Sequence, residues 1–263
     1  MTRRSQPVGI LAAMLLLGTL AVGAVWQPAD PHAVDLTQVL QAPSPNHWLG
    51  TDHLGRDVAS RLLAGAQPSL MAILIVLLSS LGIGLFAGVT ICFGSSTISR
   101  PLRWLAETAL ALPTLITALL LSALFGAGLI AVSAALIAST WAPYALSIAA
   151  LLERLRAEPY WMASRALGSS TIGAVRRHML PNAWPTVGAL AGADAGRAVI
   201  LVASLGFLGL SADTGRPEWG AMIHEYRMFL FSEPQLVLAP VLTTALVAFG
   251  LNRALDRDFM ERI

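Results

Sequence analysis

Residues 69–93 read SLMAILIVLLSSLGIGLFAGVTICF, a stretch of 25 residues without a charged side chain. The hydrocarbon core of a bilayer is about 30 Å thick, and a helix of roughly 20 apolar residues is long enough to cross it. A helix also satisfies its own backbone hydrogen bonds, which is essential where no water is present. The stretch therefore predicts a membrane-spanning helix and sets the fold class.

Composition extends this prediction to the whole chain. Of its 263 residues, 56% are hydrophobic and 12% are charged, whereas a soluble domain has about 25% charged residues. Six apolar stretches are long enough to span, so we expect an all-α membrane protein with six transmembrane helices. They cover residues 8–26, 69–93, 104–125, 128–151, 183–210 and 235–252. The third contains Pro113 and the fourth Pro143, which membrane helices tolerate when neighbours satisfy the freed carbonyl.

The arginines predict the orientation, since the chain contains no lysine. With a cytoplasmic N-terminus, twelve arginines fall on the inside and four on the outside, the positive-inside pattern. The inside set is Arg3, Arg4, Arg100, Arg103, Arg154, Arg156, Arg165, Arg176, Arg177, Arg253, Arg257 and Arg262. Both termini are therefore predicted to be cytoplasmic. The first stretch also fits a cleavable signal peptide, but its 19 apolar residues favour a retained anchor.

The predicted organisation has three parts. Residues 1–68 form an N-terminal transmembrane anchor with an extracytoplasmic segment, and residues 256–263 form a short cytoplasmic tail. Residues 69–255 form the transmembrane domain, with a cytoplasmic loop at 152–182 and an extracytoplasmic loop at 211–234.

Both outside segments are longer than simple turns. Residues 56–63 have apolar positions at helical spacing, which predicts an interfacial helix leading into the second span. The loop at 211–234 contains Trp219, Tyr226 and Phe229. These aromatics fit either an interface belt or a cap that receives a delivered substrate, and both interpretations stay open.

The cytoplasmic loop contains the most informative pattern. Glu158-Pro159 is typical of a helix start, and Gly168 is a natural stop for the helix that follows. Ser169 and Ser170 can cap a second short helix over 171–179, which is expected to end before Pro181. We call residues 160–181 the elbow, because two short helices joined by a glycine turn form a rigid projection that a partner could grip.

The elbow resembles the EAA motif of ABC importer permeases. In that motif Glu-Ala-Ala is followed after three residues by glycine and after nine more by Ile-x-Leu-Pro. The matching positions here are Met162, Ala163, Ser164, Gly168, His178, Leu180 and Pro181. The glycine, the Leu-Pro pair and both spacings agree, while Met162, Ser164 and His178 replace the glutamate, the second alanine and the isoleucine. By this resemblance, these residues are predicted to dock an ATPase subunit.

Two outer segments resemble the peptide/nickel-type members of these permeases. They are HWLGTDHLGRD at 47–57, and SLGFLGL at 204–210 followed by PEWGAMI at 217–223. The ordered motifs cover about residues 44–255, although LNRALDRD at 251–258 is shorter than the family's usual ending and lacks its proline. The resemblance implies a type I ABC importer permease fold in the bacterial inner membrane. It implies as partners a homologous second permease subunit, ATPase subunits and an extracytoplasmic solute-binding protein.

The sequence does not predict an enzyme. The chain has no Gly-x-x-x-x-Gly-Lys-Ser/Thr phosphate loop and no cluster of nucleophile and base. We therefore expect no cofactor in this chain, with ATP and Mg bound by the partner ATPase. Nucleic acid is not an expected partner, because the arginines lie between hydrophobic runs. The alternative is a stand-alone secondary transporter, which would need no ATPase; co-purification with one separates the two.

Two further groups of residues are candidate sites. Asp194 and Arg197 share a face of the fifth span, where they fit either a pathway lining or a self-neutralising pair. Candidate contacts with substrate or binding protein on the outside are His47, Asp52, His53, Asp57, Glu218 and Trp219.

The histidines also suggest a metal site, although metal binding is the weaker hypothesis and the metal is unknown. The motif around His53 looks more similar to nickel-type members of the family. This favours nickel or a metal chelate as cargo, with di- or oligopeptides next.

Overall fold

The computed structural model describes residue 18, residues 28–211 and residues 216–255. The predicted first span, apart from Gly18, and the predicted tail 256–263 lie outside these residues. Within them the chain is helical with one isolated bridge, Thr51 to Asp57, which confirms the all-α prediction. The helices are α1 (Val58–Phe93), α2 (Ser96–Ala111), α3 (Thr114–Phe125), α4 (Leu129–Arg156), α5 (Pro159–Ala166), α6 (Thr171–Ala174), α7 (Leu180–Phe207), α8 (Trp219–Tyr226) and α9 (Pro234–Leu255).

Four helical stretches among the described residues are long and apolar enough to cross a membrane. They are Val58–Phe93, Leu129–Arg156, Thr171–Phe207 and Pro234–Asn252.

The predicted third span, 104–125, is not one straight helix, because α2 and α3 meet at an angle of 102°. Leu112 has an extended backbone directly before Pro113, as the steric clash with a following proline favours. Pro143, by contrast, lies inside the continuous helix α4. Together α2 and α3 form either a broken span or a re-entrant segment.

Helix α1 is longer than its membrane-spanning part. Its N-cap is Asp57, whose carboxylate accepts a hydrogen bond from the Ser60 amide at 2.7 Å. With 36 residues it is about 54 Å long, so it extends several turns beyond the bilayer core. The helix predicted at 56–63 is observed from Val58 onward, where it forms the first turns of α1 and is continuous with the second span. The predicted boundary after residue 68 falls within this helix.

Small residues bring α1 and α4 into close contact. A Cβ added to Gly88 would lie 2.9 Å from Ile148, and one added to Gly84 would collide with Tyr144. Such positions four residues apart allow two helix backbones to approach closely inside a membrane, where dispersion contacts rather than water drive association. This pair forms the centre of the bundle.

The segment after the elbow's turn runs directly into the fifth span. The prediction that a short helix ends before Pro181 is wrong, because Thr171–Phe207 is continuous. A π-helical turn, Val175–Met179, ends two residues before Pro181. Proline lacks an N–H and crowds the carbonyl four residues earlier, and a wider π turn relieves that crowding within a helix.

The buried side chains form two main clusters at opposite ends of α1. One contains Val58 and the loop aromatics Trp219 and Tyr226. The other contains Cys92 and packs it with Trp161 and Met179. The elbow and the outer loop are therefore attached to opposite ends of the bundle.

Candidate functional site

The turn of the elbow is a complete Schellman motif. Gly168 has a φ of +84°, the left-handed conformation that glycine adopts without a steric penalty. Its amide donates to the Arg165 carbonyl at 3.1 Å, and the Ser169 amide donates to the Ser164 carbonyl at 3.2 Å. These two bonds end α5 as the motif requires. The predicted glycine stop at this position is observed.

The rest of the elbow is held by a cap and by buried anchors. The Ser170 side chain accepts a hydrogen bond from the Gly173 amide at 3.1 Å, as expected for an N-cap. Trp161 is buried and packs on Phe93 with ring centroids 5.4 Å apart. Met179 is fully buried in the same cluster. Because both halves are anchored in the bundle, a push on the turn would be transmitted to α1 and α7.

Three apolar side chains project from the elbow into its surroundings. Met162 is 60% exposed, Leu167 87% and Ile172 82%; we call these three the elbow tip. Arg165, Arg176 and Arg177 are exposed around them, so the surface is apolar with a basic rim. Exposed apolar groups with a polar rim are typical of a surface that contacts another protein or the membrane.

The residues predicted from the motif play different parts in the elbow. Met162, Ala163, Gly168 and Pro181 are exposed, His178 and Leu180 are half-buried, and Ser164 is buried. Sequence reasoning missed Leu167, Ile172 and the anchor Trp161. Two apolar residues within an arginine-rich loop were the available signal for Leu167 and Ile172.

At the other end of α1, charged side chains join the two outside segments. We call this group the outer platform; it consists of Asp52, His53, Arg56, Arg61, Glu225 and Tyr226. The fully buried Asp52 carboxylate accepts hydrogen bonds from Arg56 Nε at 2.8 Å and from the Tyr226 hydroxyl at 3.0 Å. Glu225 accepts from Arg56 and, at 2.7 Å, from Arg61. Two carboxylates thus neutralise two guanidinium groups.

Burial and neighbouring charges shift the pKa of two groups in the outer platform, Tyr226 and Arg56. Burial raises the pKa of the Tyr226 hydroxyl well above its usual value, so it remains a hydrogen-bond donor. Burial opposes the charged form of Arg56, but the Glu225 hydrogen bond and the charge of Asp52 outweigh it and raise its pKa.

The outer platform does not offer a good metal site, although its residues are close. Ligand atoms of Asp52, His53 and Glu225 lie within 4.8 Å of one another. Both carboxylates are already bound to guanidinium groups, which would repel a cation. His47 lies apart from them, with Nδ1 3.0 Å from Asp57 and Nε2 3.0 Å from Gln38. The two predicted histidines therefore do not converge on one ion.

Glu218 and Trp219 fasten the outer loop to the bundle. Glu218 caps α8 by accepting hydrogen bonds from the Gly220 and Ala221 amides, both at 2.9 Å. The Trp219 indole donates to the Leu62 carbonyl at 3.0 Å. Because Trp219 is buried, and Tyr226 fully so, the interface-belt interpretation is wrong for both.

Burial also limits direct contact with a partner on the outside. Asp52, Asp57, Glu218 and Trp219 are all buried and have partners within the chain. They could touch a substrate or binding protein only if the outer segments rearranged. Among the candidates on this side, His47 and His53 are the ones that reach the surface, with side chains 18% and 25% exposed.

Asp194 and Arg197 lie about midway along α7, and the structure brings them together. Arg197 Nη1 is 3.8 Å from Asp194 Oδ1, and Arg197 Nη2 donates to the Thr114 hydroxyl at 3.3 Å. They line a small cavity that also includes Ser80, Thr140 and Tyr144. Sequence reasoning missed these hydroxyl neighbours because they come from other helices.

Comparison with known proteins gives consistent matches. The family described as "Binding-protein-dependent transport system inner membrane component" matches residues 80–260. The nickel transport system permease protein NikC of Escherichia coli (strain K12) is 32% identical over 255 residues, covering 95% of this chain and 92% of that protein. The probable D,D-dipeptide transport system permease protein DdpC of the same strain is 31% identical, covering 98% and 88%.

A third relative and one solved structure extend these matches. The dipeptide permease DppC of Alkalihalophilus pseudofirmus is 32% identical, covering 84% of this chain and 74% of that protein. A chain of the MetNI methionine ABC transporter, solved in inward-facing conformations, has the same fold with a TM-score of 0.59. It is 19% identical and covers 74% of this chain and 94% of that one. These matches do not favour the alternative of a stand-alone secondary transporter.

Proposed function

Because the chain belongs to the family of binding-protein-dependent transport system inner membrane components, we propose that its elbow docks the ATPase subunit of an ABC importer. The chain is a multi-pass inner-membrane permease subunit of such an importer, as the motifs predicted, and by family it is not itself an enzyme. The observation that carries the proposal is the exposed elbow tip on a rigid, anchored turn. A partner groove with apolar walls and an acidic rim would complement it.

The topology we propose has six spans with both termini in the cytoplasm. The elbow with its arginines and the outer platform with its carboxylates lie at opposite ends of α1, as the positive-inside distribution requires. The retained anchor at 8–26 and the bent pair α2–α3 would supply the first and third spans. The division into parts at 1–68, 69–255 and 256–263 belongs to the same proposal, with the first boundary inside α1.

Coupling would proceed through the anchors of the elbow. Closure of the ATPase on ATP moves the elbow tip, and Trp161 and Met179 transmit the motion to the cytoplasmic end of the bundle. The continuous helix Thr171–Phe207 carries it towards Asp194 and Arg197. Rigid-body movement of packed helices is a common form of such switching. ATP and Mg would be bound by the ATPase subunits, with a homologous second permease and a solute-binding protein completing the importer.

Charged substitutions at the elbow tip test the docking proposal. Leu167→Asp and Ile172→Asp should abolish co-purification of the ATPase in mild detergent, because a carboxylate would be desolvated in an apolar groove. Both side chains are exposed, so the chain itself should still fold. Phe231→Asp, at a 98% exposed position within the outer loop, is the matched control and should retain the ATPase. Retention of the ATPase by both elbow-tip variants would refute the proposed docking surface.

For cargo, we propose nickel or a metal chelate, or else di- or oligopeptides. The support is similarity to permeases that are named for nickel and for dipeptides at comparable identity. Uptake of radiolabelled nickel and of a radiolabelled dipeptide by cells with and without this chain separates the two. If neither compound is taken up in an ATP-dependent manner, both cargo classes are rejected, while the ATPase docking proposal stays intact.

A further inference from the structure

Asp194 and Arg197 are charged side chains within a membrane-spanning helix, where a charge costs free energy. Helix α7 has 28 residues, so Asp194 lies about 20 Å from either end of it. Charged side chains at such depth face a bundle interior or a polar path, because acyl chains cannot solvate them. The two residues therefore mark a face of α7 that does not meet lipid.

Arg197 is only partly satisfied by the described residues. Its side chain is 53% exposed and that of Asp194 is 27% exposed. A guanidinium has five N–H donors, and here it makes one hydrogen bond of 3.3 Å and one loose ion pair of 3.8 Å. A structural pair that only neutralised itself would be closer and more deeply buried. The spare donors of Arg197 thus point to a further anionic ligand.

The surroundings of the pair are polar in a way that suits a ligand. The hydroxyls of Ser80 and Thr140 lie 2.6 Å apart in the cavity wall, and the buried Tyr144 lines the same cavity as Asp194. The cavity of about 20 Å³ is large enough for one water molecule. The cavity is therefore too small to enclose cargo, so a ligand of Arg197 would have to lie on the exposed side of the pair.

We propose that Arg197 binds the carboxylate of the cargo as it crosses the membrane, with Asp194 holding the guanidinium and facing a cationic group of the same cargo. A guanidinium binds carboxylates in a bidentate manner, whereas it repels a bare divalent cation. Nickel would therefore pass this point as a carboxylate chelate, and a peptide would pass with its C-terminus ionised. This inference rests on the proposed function, since it assumes that the exposed face of α7 lines the path.

A charge-selective labelling experiment tests the site without knowledge of the cargo. Leu201 lines the same cavity one helical turn beyond Arg197. In the assembled transporter with Cys92→Ala, a Leu201→Cys thiol is treated with a sulfonate-bearing and a trimethylammonium-bearing methanethiosulfonate. We compare the rate at which the thiol reacts with the anionic sulfonate reagent with its rate for the cationic trimethylammonium reagent. The ratio of the first rate to the second should fall roughly tenfold when Arg197→Gln is added. An unchanged ratio, or no reaction of the thiol with either reagent, would overturn the proposal.

A second arm examines the cargo chemistry. Uptake of a dipeptide is compared with uptake of the same dipeptide amidated at its C-terminus, and nickel uptake is measured with and without excess histidine. Arg197→Gln should abolish the preference for the free carboxylate and for the chelate, and Arg197→Lys should retain part of it. Arg227→Gln, an exposed arginine in the outer loop, is the matched control.

The outcomes of the two proposals are distinguishable. Loss of the ATPase or of the second permease from the Arg197→Gln complex would show that Arg197 pairs with a neighbouring subunit and would overturn the carboxylate site. Failure of the proposed function would instead show as a wild-type complex without any ATPase.

Discussion

The replacement Asp52→Asn removes the most buried charge of the outer platform and leaves its shape almost unchanged. The carboxylate accepts hydrogen bonds from the Leu54 amide at 2.8 Å, the Arg56 amide at 3.0 Å, Arg56 Nε at 2.8 Å and the Tyr226 hydroxyl at 3.0 Å. All four groups are donors, so the NH₂ of an asparagine would face donors on at least one side. Two guanidinium groups would then share the single carboxylate of Glu225.

The expected loss follows from these contacts. Removing one partner from a buried ion pair costs about 3–5 kcal/mol. Because Glu225 still neutralises part of the charge, we expect the lower end, about 3 kcal/mol. For a chain of this size, 1 kcal/mol corresponds to about 2–4 °C in Tm, so the Tm should fall by about 6–12 °C.

Thermal unfolding of the detergent-solubilised chain measures this change. The matched control is Asp30→Asn, because Asp30 is exposed and accepts a hydrogen bond from the His32 amide at 2.9 Å. Its Tm should stay within about 2 °C of wild type, as for other surface substitutions. If the Tm of Asp52→Asn equals that of the Asp30→Asn control, the charges of the outer platform do not stabilise it.

Three further predictions concern the backbone and the buried hydroxyl. Gly206→Ala should destabilise the attachment of α8 by about 1–3 kcal/mol, because the new Cβ would lie 2.8 Å from Gly220 Cα. The control is Gly82→Ala, whose Cβ would have no neighbour within 4 Å, so its Tm should stay unchanged. Tyr226→Phe should lower the free energy of unfolding by about 1–3 kcal/mol, because the buried Asp52 carboxylate loses the hydrogen bond from the Tyr226 hydroxyl. The measurement is again the Tm. Gly168→Ala should reduce ATP-driven uptake more than Gly168→Asn, because left-handed backbone costs about 1–2 kcal/mol for most residues and less for asparagine; equal uptake by the two would count against a strained turn.

The helical fold was predictable because lipid imposes a strong and local constraint. Each long apolar run must become a helix, so the second and fourth spans were placed near their observed positions. The bend at Pro113 was harder to foresee, because Pro143 has the same local chemistry and stays within a helix. The difference depends on which neighbours pack around each proline, and a single sequence does not contain that information.

The elbow and the outer platform differ in the same way. The turn at Gly168 depends on residues within a few positions, and its glycine and serine cap were visible in the sequence. The platform joins Arg56 to Glu225, which are 169 positions apart. Pairing at that distance is set by the packing of α8 on α1, so the sequence could propose His53 as a metal ligand but could not show the arginines that neutralise its neighbours.

Photo-crosslinking from the elbow tip tests the central claim most directly. A photoreactive amino acid replaces Leu167 in the intact transporter in its membrane, and Phe231 at the opposite end serves as the control position. The proposed docking predicts a covalent adduct between this chain and the ATPase subunit from position 167 and none from position 231. An intact, ATP-hydrolysing complex that gives no adduct from position 167 would contradict it.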